Sequence, residues 1–76
     1  MIRELETVVL LHDVRQYDLK SGDVGAVVDR YSDGKAFEVE FVTAEAKTLA
    51  VLTLTESDMR PVRGSEILHV RELASA

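Results

Sequence analysis

The chain has no cysteine and no tryptophan, one proline, four glycines, two tyrosines and two phenylalanines in 76 residues. Without cysteine there is no disulfide or thiolate–zinc site to brace so small a domain, and no sign of an oxidising compartment. A cage of exposed aromatics for a methylated lysine is also ruled out in practice, because Phe37 and Phe41 are better placed as core. Basic residues are scarce, nine against fourteen acidic, for a net charge of −5. That balance argues against nucleic acid as the main partner, since such binding rests on neutralising phosphates with Lys and Arg. The densest basic group is Arg60, Arg63, His69 and Arg71. Glu66 interrupts it and Asp58 and Glu72 flank it, so it reads as a mixed solvated surface.

Long apolar runs are missing too. The N-terminal "MIRELETVVLLHDV" carries only "VVLL", too short for a signal segment or a membrane span. The expected location is cytoplasmic, with no membrane partner. Hydrophobic content of 46% with 30% charged residues suits one globular domain.

Catalytic patterns are absent as well. No serine sits in a nucleophile elbow or beside a fixed base. His12-Asp13 and His69 lack paired-ligand spacing, so no metal site is expected. "GDVGAV" resembles a phosphate loop, but a strand follows it where a helix is required. The chain is therefore expected to be no enzyme and to need no cofactor.

What is present is β patterning. "TVVLL" (Thr7 to Leu11) is a β-branched, apolar strand. "HDVRQYDLKSGD" is a polar excursion whose Val14, Tyr17 and Leu19 should cover the core edge. Gly22 and Gly25 bracket a sharp reversal into "GAVVDRY", Gly25 to Tyr31. In "AFEVEFV", Ala36 to Val42, Phe37, Val39 and Phe41 alternate with Glu38 and Glu40, as in a half-buried antiparallel strand. Pairing Asp29 opposite Glu38 would set like charges face to face. The preferred register therefore puts Val27 opposite Val39 and Val28 opposite Glu38. Its loop is Ser32-Asp33-Gly34, with Gly34 left-handed. "TLAVLTL" (Thr48 to Leu54) is a further strand, "TESD" a short helical turn capped by Thr55, and "MRPVR" a last edge strand holding Pro61. The core should gather Phe37, Val39 and Phe41 with Val27, Val51 and Val9.

The fold class that follows is mainly β: a small five-stranded SH3-like antiparallel barrel with one short helical turn and a C-terminal extension. The domain is single over residues 1–76, with its core over about 7–63 and a C-terminal segment over 64–76.

"MIRELETVVLLHDV", "LKSGDVGAVVDRYSDGKAFEVEFV", "TLAVLTLTESDMRPV" and "ILHVREL" together resemble the small bacterial family catalogued as domain of unknown function 4926. The Gly22-Asp23-x-Gly25 turn, the Asp33-Gly34 turn and the "VEF" of Val39 to Phe41 are the most specific parts. Ala46 departs from the pattern, since relatives often carry glycine in the third turn. The resemblance implies an SH3-like fold and a partner protein, such as a toxin or enzyme encoded by a neighbouring gene. More distantly, "GDVGAVVDRY…FEVEF" is similar to the hairpin of KOW modules, which implies a nucleic-acid-associated alternative.

The functional expectation is a non-catalytic protein-interaction module, or a homodimer. Its candidate contacts are the outward Glu38 and Glu40, with Asp29, Asp33 and Glu45 near them, and the apolar Ile67, Leu68, Val70 and Leu73. Ile67, Val70 and Leu73 stand at roughly helical spacing, with a terminal strand or a mobile tail as alternatives, and all four apolar residues follow the last barrel strand, where they must fold back or bury against another chain.

Overall fold

The structure is a computed structural model that describes residues 2, 3 and 5–73. Five strands form one antiparallel sheet: β1 (Thr7–Leu10), β2 (Val24–Arg30), β3 (Phe37–Val42), β4 (Thr48–Leu54) and β5 (Met59–Pro61). The strand order is β4-β3-β2-β1-β5. Tight reversals make β2, β3 and β4 a meander. Only the β1–β5 pairing joins distant parts of the chain.

The sheet bends over one apolar cluster fed by all five strands. Val8 and Leu10 come from β1, Val27 from β2, and Phe37, Val39 and Phe41 from β3. Ala50 and Leu54 come from β4 and Met59 from β5, with Ile2 and Leu19 completing the cluster. No ladder joins β4 to β5, so hydrogen bonds do not close the barrel that the sequence suggests.

Period-two alternation is cleanest in β3, where Phe37, Val39 and Phe41 are buried. Two expected core members face outward instead. Val51 stands opposite Glu40 on the outer surface and is 51% exposed. In β1 the inward residues are Val8 and Leu10, while Val9 is only half-buried. The run "VVLL" is apolar on both faces, so its pattern fixes no phase.

The β2–β3 pairing combines both registers considered for it. Val27 lies opposite Val39 as expected, but the register shifts at Val28, so that Asp29 faces Glu38. Val28 is a bulge residue and does not face Glu38. The like-charge pairing is tolerable because each carboxylate has its own donors. Asp29 accepts from the Arg30 N–H, and Glu38 accepts from hydroxyls on two other residues. Gly34 has φ 71°, the left-handed conformation expected of this turn.

Gly22 also has positive φ, at 98°, but Gly25 does not. Gly25 lies inside β2, where the ring of Phe41 and the side chain of Val39 leave no room for a β-carbon. Its role is close packing rather than reversal. The helical turn also lies elsewhere. A 3-10 turn spans Arg15–Tyr17, whereas Thr55 to Asp58 is a hydrogen-bonded reversal. There the Asp58 carboxylate accepts from the Thr55 N–H and hydroxyl. Tyr17 stays exposed, and of the three residues expected to cover the edge only Leu19 is fully buried.

Candidate functional site

Two surfaces carry the features that the core does not use. The first is the outer face of β2, β3 and β4. Register places Ala26, Glu40 and Val51 in one row and Asp29, Glu38 and Thr53 in the next. The Tyr31 hydroxyl donates to Glu38 Oε2 at 2.6 Å, and Thr53 Oγ1 lies 2.9 Å from the same oxygen. These bonds, the tyrosine's first, hold the Glu38 carboxyl below its usual range, and the bond to Glu38 pushes the Tyr31 phenol up. Thr48 Oγ1 donates to Glu40 Oε2 at 2.6 Å. No cation pairs with Asp29, Glu38 or Glu40 among the described residues. Asp33 and Glu45 lie in the turns at opposite ends of β3, so they lengthen the acidic face without concentrating it.

The second surface is the segment after β5. Its described residues, 62–73, are in neither helix nor strand. A turn closes between Arg63 and Glu66, where the Glu66 N–H donates to the Arg63 carbonyl and Glu66 Oε1 accepts from the Arg63 N–H. Arg60, on β5, grips Glu66 with both terminal nitrogens, at 2.8 and 2.6 Å. That fork, with the Arg63 N–H, pulls the Glu66 carboxyl down to about 2.

The far end is held in the same way. Arg71 donates from Nε to Asp23 Oδ1 at 2.8 Å and from Nη2 to Asp23 Oδ2 and the Asp18 carbonyl. Burial alone would raise the Asp23 carboxyl. Arg71 and the Lys20 N–H outweigh it and leave the group below its ordinary value. Arg60 lies on β5 and Asp23 leads into β2, so the segment strides across β1, which lies between them in the sheet.

Between these anchors the apolar side chains are left out of the core. Ile67 and Val70 are each 90% exposed and Leu68 is 65% exposed, while Leu73 is half-buried. Among the described residues, 67–73 make no backbone–backbone hydrogen bond. The segment is a strap fixed by two guanidinium–carboxylate forks that presents Ile67, Leu68 and Val70 to the outside.

The anchors are the residues that sequence reasoning missed. Arg60 and Arg71 read as parts of a basic patch, yet each is taken up by a carboxylate. Only their place opposite Glu66 and Asp23 in the fold gives them that role. Tyr31, Thr48 and Thr53 likewise gain theirs from register alone. Of the two histidines, His12 donates or accepts through Nε2 at 2.8 Å from Asp58 Oδ1, and His69 lies exposed on the strap. Among the described residues no three His, Asp or Glu side chains converge as a metal site would require. No helix among them is long and apolar enough to cross a membrane.

A family model described as domain of unknown function (DUF4926) matches residues 4–61. That span holds all five strands and ends at Pro61, so the strap lies beyond the matched residues. Comparison with curated proteins and with solved structures found no match. A family match over most of the chain, with the strands it covers forming one sheet, places this protein in the DUF4926 family.

Proposed function

We propose that the chain is a non-catalytic protein-interaction module, and that its main contact with a partner protein is the strap over residues 66–73. One observation carries this reading: Ile67, Leu68 and Val70 are exposed although the backbone on either side of them is anchored. A loose tail would expose apolar residues at no cost in order. Here two bidentate forks hold the segment in one shape, so its apolar side chains form a fixed ridge, which suits a contact with another protein.

The acidic outer face supports a basic partner, such as a toxin or enzyme, which its field would steer toward the module. The nucleic-acid alternative loses ground because Arg60 and Arg71 are spent on carboxylates. We take the setting to be cytoplasmic on composition alone.

The test is affinity capture from the native host with the parent chain and an Ile67→Ser/Val70→Ser variant, read by mass spectrometry. Both side chains are exposed, so the variant keeps its fold. A protein captured by the parent and lost by the variant supports the reading. Identical captures from both remove the strap as the contact.

A further inference from the structure

The two edges of the sheet are built differently. β5 has three residues, and two of them, Arg60 and Pro61, blunt it. β4 has seven residues, Thr48–Leu54, with no charge, proline or glycine. Leu49 is an extra residue at its start, where the register shifts between Phe41 and Val42, and Ala50 to Leu54 then runs regularly. Among the described residues no backbone–backbone bond ties β4 to anything but β3. Lys47 and Thr55, which bound the strand, are taken up by Thr43 and Asp58. The open stretch of edge is therefore short and lies within β4.

The free groups can be assigned. The Tyr31 N–H bonds the Ala36 carbonyl, which fixes the alternation along β3. Glu38 therefore turns its backbone to β2, and Phe37 and Val39 turn theirs to β4. Leu54 and Leu52 answer them. Val51 and Thr53 are left with N–H and C=O groups aimed away from the sheet. Their side chains are exposed on the outer face, while Leu52 between them turns inward and is half-buried against the core.

Glu38 and Glu40 bring charge to this edge. Thr53 Oγ1 lies 2.9 Å from Glu38 Oε2, and Thr48 Oγ1 donates to Glu40 Oε2 at 2.6 Å. Both hydroxyls belong to β4, so the two carboxylates stand within hydrogen-bond reach of the edge strand. Neither is paired with a cation among the described residues. A strand added to β4 would lie one strand spacing, about 4.8 Å, further out. Its residues opposite Val51 and Thr53 would share the outer face with Glu40 and Glu38. A lysine or arginine there is long enough to reach a carboxylate across one strand. The residue between them would face inward beside Leu52, where an apolar side chain fits.

We propose that the β4 edge takes an extended segment of a partner protein as a further antiparallel strand, and that this segment carries Lys or Arg at alternate positions with apolar residues between them. Backbone pairing with Val51 and Thr53 attaches the segment, and the carboxylates of Glu38 and Glu40 select cations for its outer face. Antiparallel pairing is the mode of every ladder in this sheet. It aims the N–H groups of the basic residues at the Val51 and Thr53 carbonyls and leaves those of the apolar residues to solvent. The inference uses a different surface from the strap and does not rest on it.

The test titrates the isotope-labelled full chain with a capped synthetic peptide of alternating lysine and valine and follows amide hydrogen exchange. In the free chain the Val51 and Thr53 N–H groups should exchange faster than those of Leu52 and Leu54, and the peptide should protect both. A peptide N-methylated at its lysines should bind at least about tenfold more weakly, whereas one N-methylated at its valines should keep its affinity. An alternating glutamate–valine peptide should not bind. Glu38→Gln/Glu40→Gln should weaken the lysine peptide about fivefold, and Ile67→Ser/Val70→Ser should bind it as the parent does. A lysine peptide that does not bind at millimolar concentration overturns the proposal. So does binding that leaves Val51 and Thr53 unprotected, or that is equal for the two N-methylated peptides or for the glutamate peptide. Protection of Val51 and Thr53 that grows with the concentration of the chain alone gives the edge to a second copy and overturns it too. Binding lost only in the strap variant overturns it and assigns the peptide to the strap.

Discussion

A β-carbon on Gly25 would stand 2.8 Å from Cε2 of Phe41 and 2.8 Å from Cγ1 of Val39. Both neighbours are fully buried, so neither can swing aside. The Gly25→Ala protein should therefore lose about 1–3 kcal/mol to overpacking. Phe41→Ala removes the ring that fills this space and should lose about 3–5 kcal/mol. Chemical denaturation measures both. A Gly25→Ala protein as stable as the parent would mean that the ring does not lie against this glycine.

Ala46 holds φ 64° in the β3–β4 turn, a left-handed position where a β-carbon is strained. Ala46→Gly should stabilise the protein by about 1 kcal/mol. Gly34 is the mirror case, with φ 71° and open space around it. Gly34→Ala should lose about 1 kcal/mol for backbone strain alone, and Gly34→Val more. Melting curves of the three variants decide the matter, and opposite signs at positions 46 and 34 are the expected outcome.

The ring of His12 meets the carboxylate of Asp58 across the gap between the end of β1 and the β4–β5 reversal. That hydrogen bond, more than any other contact, raises the His12 pKa above its ordinary 6.5. Since the folded value exceeds the unfolded one, the stabilising contribution is complete below the unfolded pKa. It fades as pH rises through the folded pKa. Asp58 is lowered, by the Thr55 N–H first and His12 second, so its contribution holds at neutral pH and fails only in acid. The melting temperature should fall slightly from about pH 6 to about pH 8 in the parent, and this slope should vanish in His12→Gln. Nuclear magnetic resonance titration of the His12 ring should show the raised value directly, and Asp58→Asn should return it toward 6.5.

Acid should release the strap before it unfolds the sheet. Asp23 and Glu66 both titrate below their ordinary values, Glu66 near 2. Their contributions are complete above the ordinary carboxylate range and are lost as pH falls through the depressed values. Resonances of residues 67–73 should narrow as pH falls toward about 2, while those of β3 stay dispersed. Arg71→Ala should produce the same narrowing at neutral pH and lower the melting temperature by less than about 5 °C. Collapse of the whole spectrum on this single change would instead make the strap part of the core.

β3 was legible because its alternation left one reading, whereas β4 was legible in its bounds but not in its phase, since Val51 was expected inside and faces out. Glu38 and Glu40 could only face outward once Phe37 and Phe41 faced in. β1 was legible as a strand but not in phase, because Val8 and Val9 are equally apolar. The bulge at Val28 left no mark, since it depends on how β3 presents its backbone. The acidic face could be read from residue spacing. The strap's anchors could not, because Arg71 and Asp23 are 48 residues apart and meet only in the folded chain. The 3-10 turn at Arg15–Tyr17 lacks any capping signal, as no side chain caps it.

The β1–β5 pairing sets the order in which the molecule can assemble. β2, β3 and β4 meet through short reversals, so their closure entropy is small and the meander can form early. Val9 reaches Arg60 only after almost the whole chain has been gathered. That late step brings Met59 into the core and carries Arg60 to where it can catch Glu66. The meeting of the two ends should thus come after the folding transition state. Weakening β5 should speed unfolding far more than it slows refolding.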